Sequence, residues 1–128
     1  MTKKPYYITT PIYYPSTKLH IGNTYTTVAA DALARFKRLN GYDVMFLTGT
    51  DEHGQKIFNK AKEERLSLND FVDKYAQRFK DFCKLFFIEY DNFYRTSTPA
   101  HHDAAKIFWK KCEERGDIYK KKYSGRYC

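Results

Sequence analysis

Two short segments, residues 20–23 (HIGN) and 48–54 (TGTDEHG), carry side chains that a binding site needs. His20 and Asn23 stand three residues apart at a predicted helix start, so both side chains project from one face of its first turn. The unpaired amides and positive dipole end of a helix attract phosphate, and both side chains could add hydrogen-bond donors. Gly22 would let a flat base or a ribose approach the backbone closely. This segment could therefore hold a nucleotide.

The second segment offers negative charge. Asp51 follows an apolar strand, and an acid beside an apolar wall can hold the ammonium group of a ligand. Each segment also has a simpler interpretation. Asp51 could cap the helix that follows it. His20 could likewise cap its own helix while Asn23 is only solvated, which is the commoner meaning of such a four-residue pattern.

Other chemistries fit the sequence less well. A metal site is one alternative for five acidic and imidazole side chains: Asp51, His53, His101, His102 and Asp103. Their spacing matches no known set of metal ligands. Residues 49–56 resemble a phosphate-binding loop, but Gln replaces the Lys of that motif, and two carboxylates would repel phosphate. The chain has no G-x-S-x-G, and no G-x-G-x-x-G follows its first strand.

The predicted elements place both segments at the same edge of a sheet. Strands are predicted at residues 6–10, 43–49 and 92–97 and from residue 117, with the first buried on both faces. Helices are predicted from residue 20 to 39, after Gly54, from Ser67, and from Thr98 to Gly116. This alternation favours an α/β fold with a parallel sheet and right-handed crossover helices. Ligands of such sheets bind outside the carboxyl ends of the strands.

Composition describes a single basic domain. The 128 residues carry a net charge of +8. Residues 110–128 hold seven Lys or Arg and three acids, so half of the excess charge lies there. Such a basic segment could face nucleic acid or simply be a solvated edge. Three widely spaced cysteines without a secretory leader indicate a reducing cytosol, and no apolar run approaches a membrane span.

The motifs in combination carry a family resemblance. HIGN is similar to the HIGH signature of class I aminoacyl-tRNA synthetases. With TTPIYYPS before it and TGTDEHGQKI after it, the sequence resembles the amino-terminal part of bacterial methionyl-tRNA synthetases. The resemblance extends through NFYRTS and GDIYKKKYSGRYC, and thus over nearly the whole chain.

This resemblance implies a ligase that joins methionine to ATP, with Mg²⁺, and passes the methionyl group to tRNA(Met) in the cytoplasm. By the resemblance, His20, Gly22 and Asn23 bind ATP, and His20 and Asn23 assist catalysis. Methionine would be bound by Ile12, Tyr14 and Asp51. Asn23 stands where the signature usually has a second His, so it could donate a hydrogen bond but could not carry charge.

The resemblance also implies that the chain is a fragment. Residues 1–116 would be the first half of a Rossmann-like catalytic domain, and residues 117–128 would begin an inserted connective domain that can carry zinc. Cys128 would be the first cysteine of that incomplete zinc site. No Lys-Met-Ser-Lys-Ser-like second signature is present, so little turnover is expected from this chain alone. A non-catalytic methionine- or tRNA-binding module of the same ancestry is the alternative.

Overall fold

The structure is a computed structural model that describes residues 2–15, 19–122 and 124–125. Its elements follow one another as β1 (Pro5–Thr9), α1 (Ile21–Leu39), β2 (Asp43–Thr50), α2 (Gln55–Glu63), α3 (Leu68–Leu85), β3 (Asn92–Arg95) and α4 (Pro99–Glu114). The chain divides into two compact units, Met1–Ser97 and Thr98–Cys128. The alternation of strands and helices confirms the α/β prediction. The predicted division between residues 116 and 117 stays a prediction.

The three strands of the first unit form a parallel sheet in the order β1-β2-β3. Gly49 on β2 lies opposite Tyr94 on β3. A Cβ atom on Gly49 would lie only 1.8 Å from the Tyr94 carbonyl oxygen, so glycine is required for this close pairing. Because all three strands are parallel, their carboxyl ends meet at one edge of the sheet.

Helices α1 and α3 cover one face of this sheet. Phe46 of β2 is fully buried in a cluster that includes Ala34 of α1 together with Phe79 and Cys83 of α3. A smaller cluster joins α2 and α3 around Ile57 and Phe71. Helix α3 buries the apolar face that its spacing predicts. In α1, however, the regularly spaced apolar side chains such as Val28, Leu33 and Phe36 are exposed, and the buried face is formed by Thr27, Ala30, Asp31 and Ala34.

Within the first unit, no described helix covers the other face of the sheet. Tyr7 and Met45 lie opposite each other on β1 and β2, and they are 62% and 50% exposed. Successive side chains of a strand alternate between faces, so every second residue of β1 lies on this open side. The prediction that the first strand is buried on both faces is therefore wrong.

The helix boundaries follow the predicted signals. Asn40 ends α1, and the hydroxyl of Ser67 accepts a hydrogen bond from the Asp70 amide at the start of α3. In the second unit, Thr98 caps α4, and Pro99 occupies its first turn. Of the residues that the structure describes, none forms a helix long and apolar enough to cross a membrane.

The fourth predicted strand is absent from the described part of the segment after α4. Residues 117–122 have no regular secondary structure. A strand needs the hydrogen-bonding edge of a partner, and residues 117–122 have no strand partner within the described part of their own unit. Its aromatic and β-branched residues were therefore a misleading signal.

Candidate functional site

The first turn of α1 is capped by the two polar residues of the HIGN segment. The amide of Gly22 donates to Nδ1 of His20 across 3.2 Å, and the amide of His20 donates to Oδ1 of Asn23 across 3.1 Å. These bonds satisfy amides that a helix start leaves unpaired. His20 therefore does cap the helix, whereas Asn23 is not merely solvated. His20 Nε2 and the side-chain nitrogen Nδ2 of Asn23 have no hydrogen-bond partner among the described residues.

The absence of a side chain at Gly22 leaves space for the His20 ring. A Cβ atom at this position would lie 3.0 Å from Cε1 and 3.1 Å from Nδ1 of that ring, which is tighter than ordinary van der Waals contact. A larger residue would therefore push the ring away from the helix start. The sequence suggested only that Gly22 leaves space for a ligand.

Tyr13 joins the loop before α1 to the end of β2. Its amide donates to the Gly49 carbonyl across 2.9 Å, and its carbonyl accepts from the Asp51 amide across 3.0 Å. The loop thus continues alongside β2 beyond the end of β1. This pairing brings the two segments that the sequence singled out to the same edge of the sheet.

The ring of Tyr13 also fixes the beginning of α1. It stacks on Phe79 of α3 with ring centroids 4.9 Å apart, and its Oη lies 3.0 Å from Oγ1 of Thr27 on α1. Tyr13 is thus a structural anchor of the site that the sequence reasoning did not identify. Its position between Ile12 and Tyr14 was the available signal, because alternation turns a middle residue away from its neighbours.

Ile12 and Tyr14 remain accessible, at 41% and 46% exposure. The Tyr14 hydroxyl donates to the His53 carbonyl across 2.9 Å, which connects the two loops a second time. Gly54 makes this possible: its φ is +120°, and a Cβ atom there would lie 2.7 Å from Tyr14 Oη. The structure therefore brings two of the three predicted methionine-binding residues, Ile12 and Tyr14, next to the turn that carries the third.

That third residue, Asp51, is partly exposed at the end of β2. Its carboxylate makes no hydrogen bond or ion pair with any residue that the structure describes. The N-cap of α2 is Gly54, and no side chain caps that helix. The alternative in which Asp51 serves as a cap is therefore wrong, and its carboxylate is available to a cationic ligand.

The next residue, Glu52, is a buried carboxylate. Its Oε1 accepts from Thr50 Oγ1 at 2.6 Å and from Arg95 Nε at 2.7 Å. Burial opposes the charge of Arg95, but hydrogen bonds to Glu52 and Asp73 outweigh it, so the pKa of Arg95 lies above its usual value. Glu is rarely buried, so its residue type gave no signal of this network.

A cavity of about 270 Å³ lies between the loop before α1 and α3. The described residues that line it are mainly aromatic and apolar: Tyr13, Tyr14, Pro15, Leu19, Thr50, Tyr75, Arg78 and Phe79. Ile12 and Asp51 do not line this cavity. Tyr14 thus borders an apolar space with its ring and the acidic turn with its hydroxyl.

The described residues contain no group of three or more His, Cys, Asp or Glu side chains that could hold a metal ion. In the second unit, His101 and His102 lie in the first turn of α4. Cys128, the predicted zinc ligand, lies outside the described residues.

A parallel sheet with a capped helix start and an acidic turn at its carboxyl edge defines an α/β protein of the nucleotide-binding class. Residues 6–128 match the family model described as "tRNA synthetases class I (M)", and the chain belongs to this family. The family predicted from the motifs is thereby confirmed.

Similar proteins agree with this assignment. The methionine–tRNA ligase of Clostridium perfringens is 60% identical over all 128 residues, which make up 20% of its own length. The structure of Mycobacterium tuberculosis methionyl-tRNA synthetase in complex with methionyl-adenylate superimposes with a TM-score of 0.88 at 43% identity, over 91% of this chain and 23% of the other. A LeuRS–tRNA–LeuAMS complex from Agrobacterium radiobacter K84 gives a TM-score of 0.85 at 25% identity, over 93% of this chain and 16% of the other. The chain thus spans about a fifth of the curated relatives it matches.

Proposed function

We propose that this chain supplies the first half of the active site of an enzyme that activates methionine with ATP and transfers it to tRNA(Met) in the cytoplasm. The main support is that Tyr13 and Tyr14 connect the loop before α1 to the turn after β2 at the edge of the sheet. These bonds support the proposal because they hold the loop before α1 against the turn that carries Asp51. The names of the similar ligases and the adenylate in the M. tuberculosis structure support the choice of substrates.

In the proposed reaction, a carboxylate oxygen of methionine attacks the α-phosphorus of ATP. The bond from that phosphorus to the bridging oxygen breaks, and pyrophosphate leaves with the released charge. No covalent enzyme intermediate is needed, so the protein contributes positioning and charge stabilisation. Mg²⁺ would enter as the counter-ion of the ATP substrate.

Each site residue has a role in this proposal. His20 donates from Nε2 to the phosphates as charge moves toward pyrophosphate, and Asn23 donates from its amide nitrogen. The backbone at Gly22 lets the adenosine approach. Asp51 pairs with the α-ammonium group, while Ile12 and Tyr14 contact the thioether, which is apolar and polarisable.

The proposal extends to two further partners, tRNA and zinc. The basic segment of residues 110–128 would face tRNA. Zinc would belong to a connective domain that begins at residue 117, with Cys128 as one ligand. The described residues alone offer no set of ligands for a zinc ion.

Amino-acid-dependent ATP–pyrophosphate exchange tests the proposal. It would be measured on this chain and on the full gene product that contains it. We expect methionine-dependent exchange from the gene product, lost in His20→Ala and Asp51→Ala. Equal exchange with leucine, or none with methionine, would contradict the function. Methionine binding without exchange would favour the non-catalytic module.

A further inference from the structure

Glu52 occupies an unusual place for a buried charge. Its side chain is 0% exposed, yet it lies directly between Asp51 and His53, at the edge of the candidate site. We infer that Glu52 is a positioning residue, which holds the turn after β2 so that the Asp51 carboxylate meets the ammonium group of the amino acid. This inference rests on the proposed function.

Both carboxylate oxygens of Glu52 are already used inside the protein. Oε1 accepts from Thr50 and Arg95, and Oε2 accepts from the Ser97 hydroxyl. The backbone amide of Glu52 donates to Oγ1 of Thr96 across 2.8 Å. Glu52 is therefore not itself available to a ligand. Its bonds instead attach the end of β2 to the chain that leaves β3.

Separate hydrogen bonds hold the residues on both sides of Glu52. His53 donates from Nε2 to the Thr96 carbonyl across 3.0 Å, and the Asp51 amide donates to the Tyr13 carbonyl. The backbone on either side of the Asp51 side chain is thus fixed to a neighbouring segment. Precise placement of one charged group relative to a reacting centre is what a positional mechanism requires.

Arg95 extends the network to α3. Its Nη1 lies 2.7 Å from Oδ1 of Asp73, while its Nε binds Glu52. The guanidinium compensates the buried charge of Glu52, which would otherwise be strongly unfavourable. A buried ion pair of this kind could serve stability alone. A role in stability alone and a role in positioning Asp51 predict different effects on substrate binding.

The test compares KM for methionine with KM for ATP in the exchange reaction of the full gene product. Glu52→Gln keeps the size of the side chain but removes its charge. We expect KM for methionine to rise about tenfold or more, because the Asp51 carboxylate would no longer be held in place for the ammonium group. KM for ATP should change by less than about twofold. A merely structural role would leave both constants unchanged in the folded fraction.

Ala34→Gly is the matched control, because it destabilises the core without touching the network. Ala34 is fully buried on α1, about 20 Å along the helix from its start. At a similar loss of melting temperature, it should change neither KM. An equal rise in both constants for Glu52→Gln, no rise, or the same rise in Ala34→Gly would overturn the inference.

Ser97→Ala decides the matter if Glu52→Gln does not fold. It removes one donor to Oε2 and leaves the Arg95 ion pair intact. We expect KM for methionine to rise about threefold, and an unchanged KM would overturn the inference. Wild-type protein without methionine-dependent exchange would overturn the proposed function together with this inference. Normal wild-type exchange with an unaffected KM in the variants would overturn this inference alone.

Discussion

The Gly22 amide donates a hydrogen bond to Nδ1 of His20 at the start of α1. A backbone N–H can only donate, so Nδ1 must be the unprotonated nitrogen of the ring. The neutral ring then carries its hydrogen on Nε2. The cap thereby fixes His20 as a donor through Nε2, which is the form that a phosphate would bind.

Replacement of His20 by Asn separates the cap from the donor. Asn is among the best N-cap residues, so we expect the free energy of unfolding of His20→Asn to change by less than about 0.5 kcal/mol. The exchange rate should fall about 100-fold, because the shorter Asn side chain places no donor where His20 Nε2 stands. Thermal denaturation and ATP–pyrophosphate exchange check the two effects.

His20→Ala is the comparison for this pair. It loses the cap as well, at a cost of about 1 kcal/mol of stability, and its exchange rate should be as low as that of the Asn variant. Full activity in His20→Asn would show that the capping role of His20 is sufficient.

Asp51→Asn should weaken methionine binding selectively. Loss of a charge partner for the ammonium group corresponds to about 2 kcal/mol or more, which is roughly a 30-fold rise in KM for methionine. KM for ATP should stay nearly constant. Asp43→Asn is the control, since Asp43 is an exposed acid at the opposite end of the same strand. A larger effect on ATP than on methionine would assign Asp51 a different role.

The sequence predicts the ligand-facing residues of the site better than the buried network behind them. The cap residues of α1 and the acid at the end of β2 follow from local patterns, and parallel order brings strand ends together. The buried state of Glu52 does not follow, because its partner Arg95 comes 43 residues later and on another strand. A residue's type predicts its usual exposure, whereas its actual exposure depends on partners distant in sequence.

The reactivity of the cysteines should reflect the core. Burial, with a smaller contribution from the charge of Asp31, raises the pKa of Cys83 to about 12. At pH 8 only about one thiol in ten thousand would then be the reactive thiolate. We expect alkylation at Cys112, which is only partly buried, and hardly any at Cys83 in the native protein. Mass spectrometry of alkylated peptides measures both sites.

The same shift affects stability at alkaline pH. The pKa of Cys83 is higher in the folded protein than the ordinary value of 9.0, so its stabilising contribution is complete below about pH 9. It is lost as the pH rises toward about 12, because the unfolded chain releases the proton more readily. Cys83→Val should therefore make the alkaline decline in melting temperature less steep. An equal decline in both proteins would contradict the shift.

The uncovered sheet face should cause association of the chain on its own. Tyr7 and Met45 form an apolar surface there, and patches of this kind usually contact another protein surface. We expect the apparent mass in sedimentation experiments to increase with concentration. Tyr7→Lys combined with Met45→Lys should reduce this increase. A monomer at all concentrations would show that the open face does not drive association.

The uncovered face of the sheet is a second feature that the sequence did not predict. The apolar run of residues 6–10 indicated a strand, and β1 forms there. Which faces of a strand are covered depends on the helices that pack against it, and α1 and α3 cover only one. The segment after α4 is similar in this respect, since its residues suit a strand but have no strand partner within the described part of their own unit.

The order of the strands in the sheet is also their order along the chain. Each new strand can therefore pair with the strand synthesised just before it, β2 with β1 and β3 with β2. A ribosome releases the chain from its amino terminus, so the sheet can grow in the direction of translation. Tyr13 and Thr10, which follow β1, can meet β2 as soon as β2 emerges. The geometry that unites the two loops is thus accessible before the rest of the chain has been made.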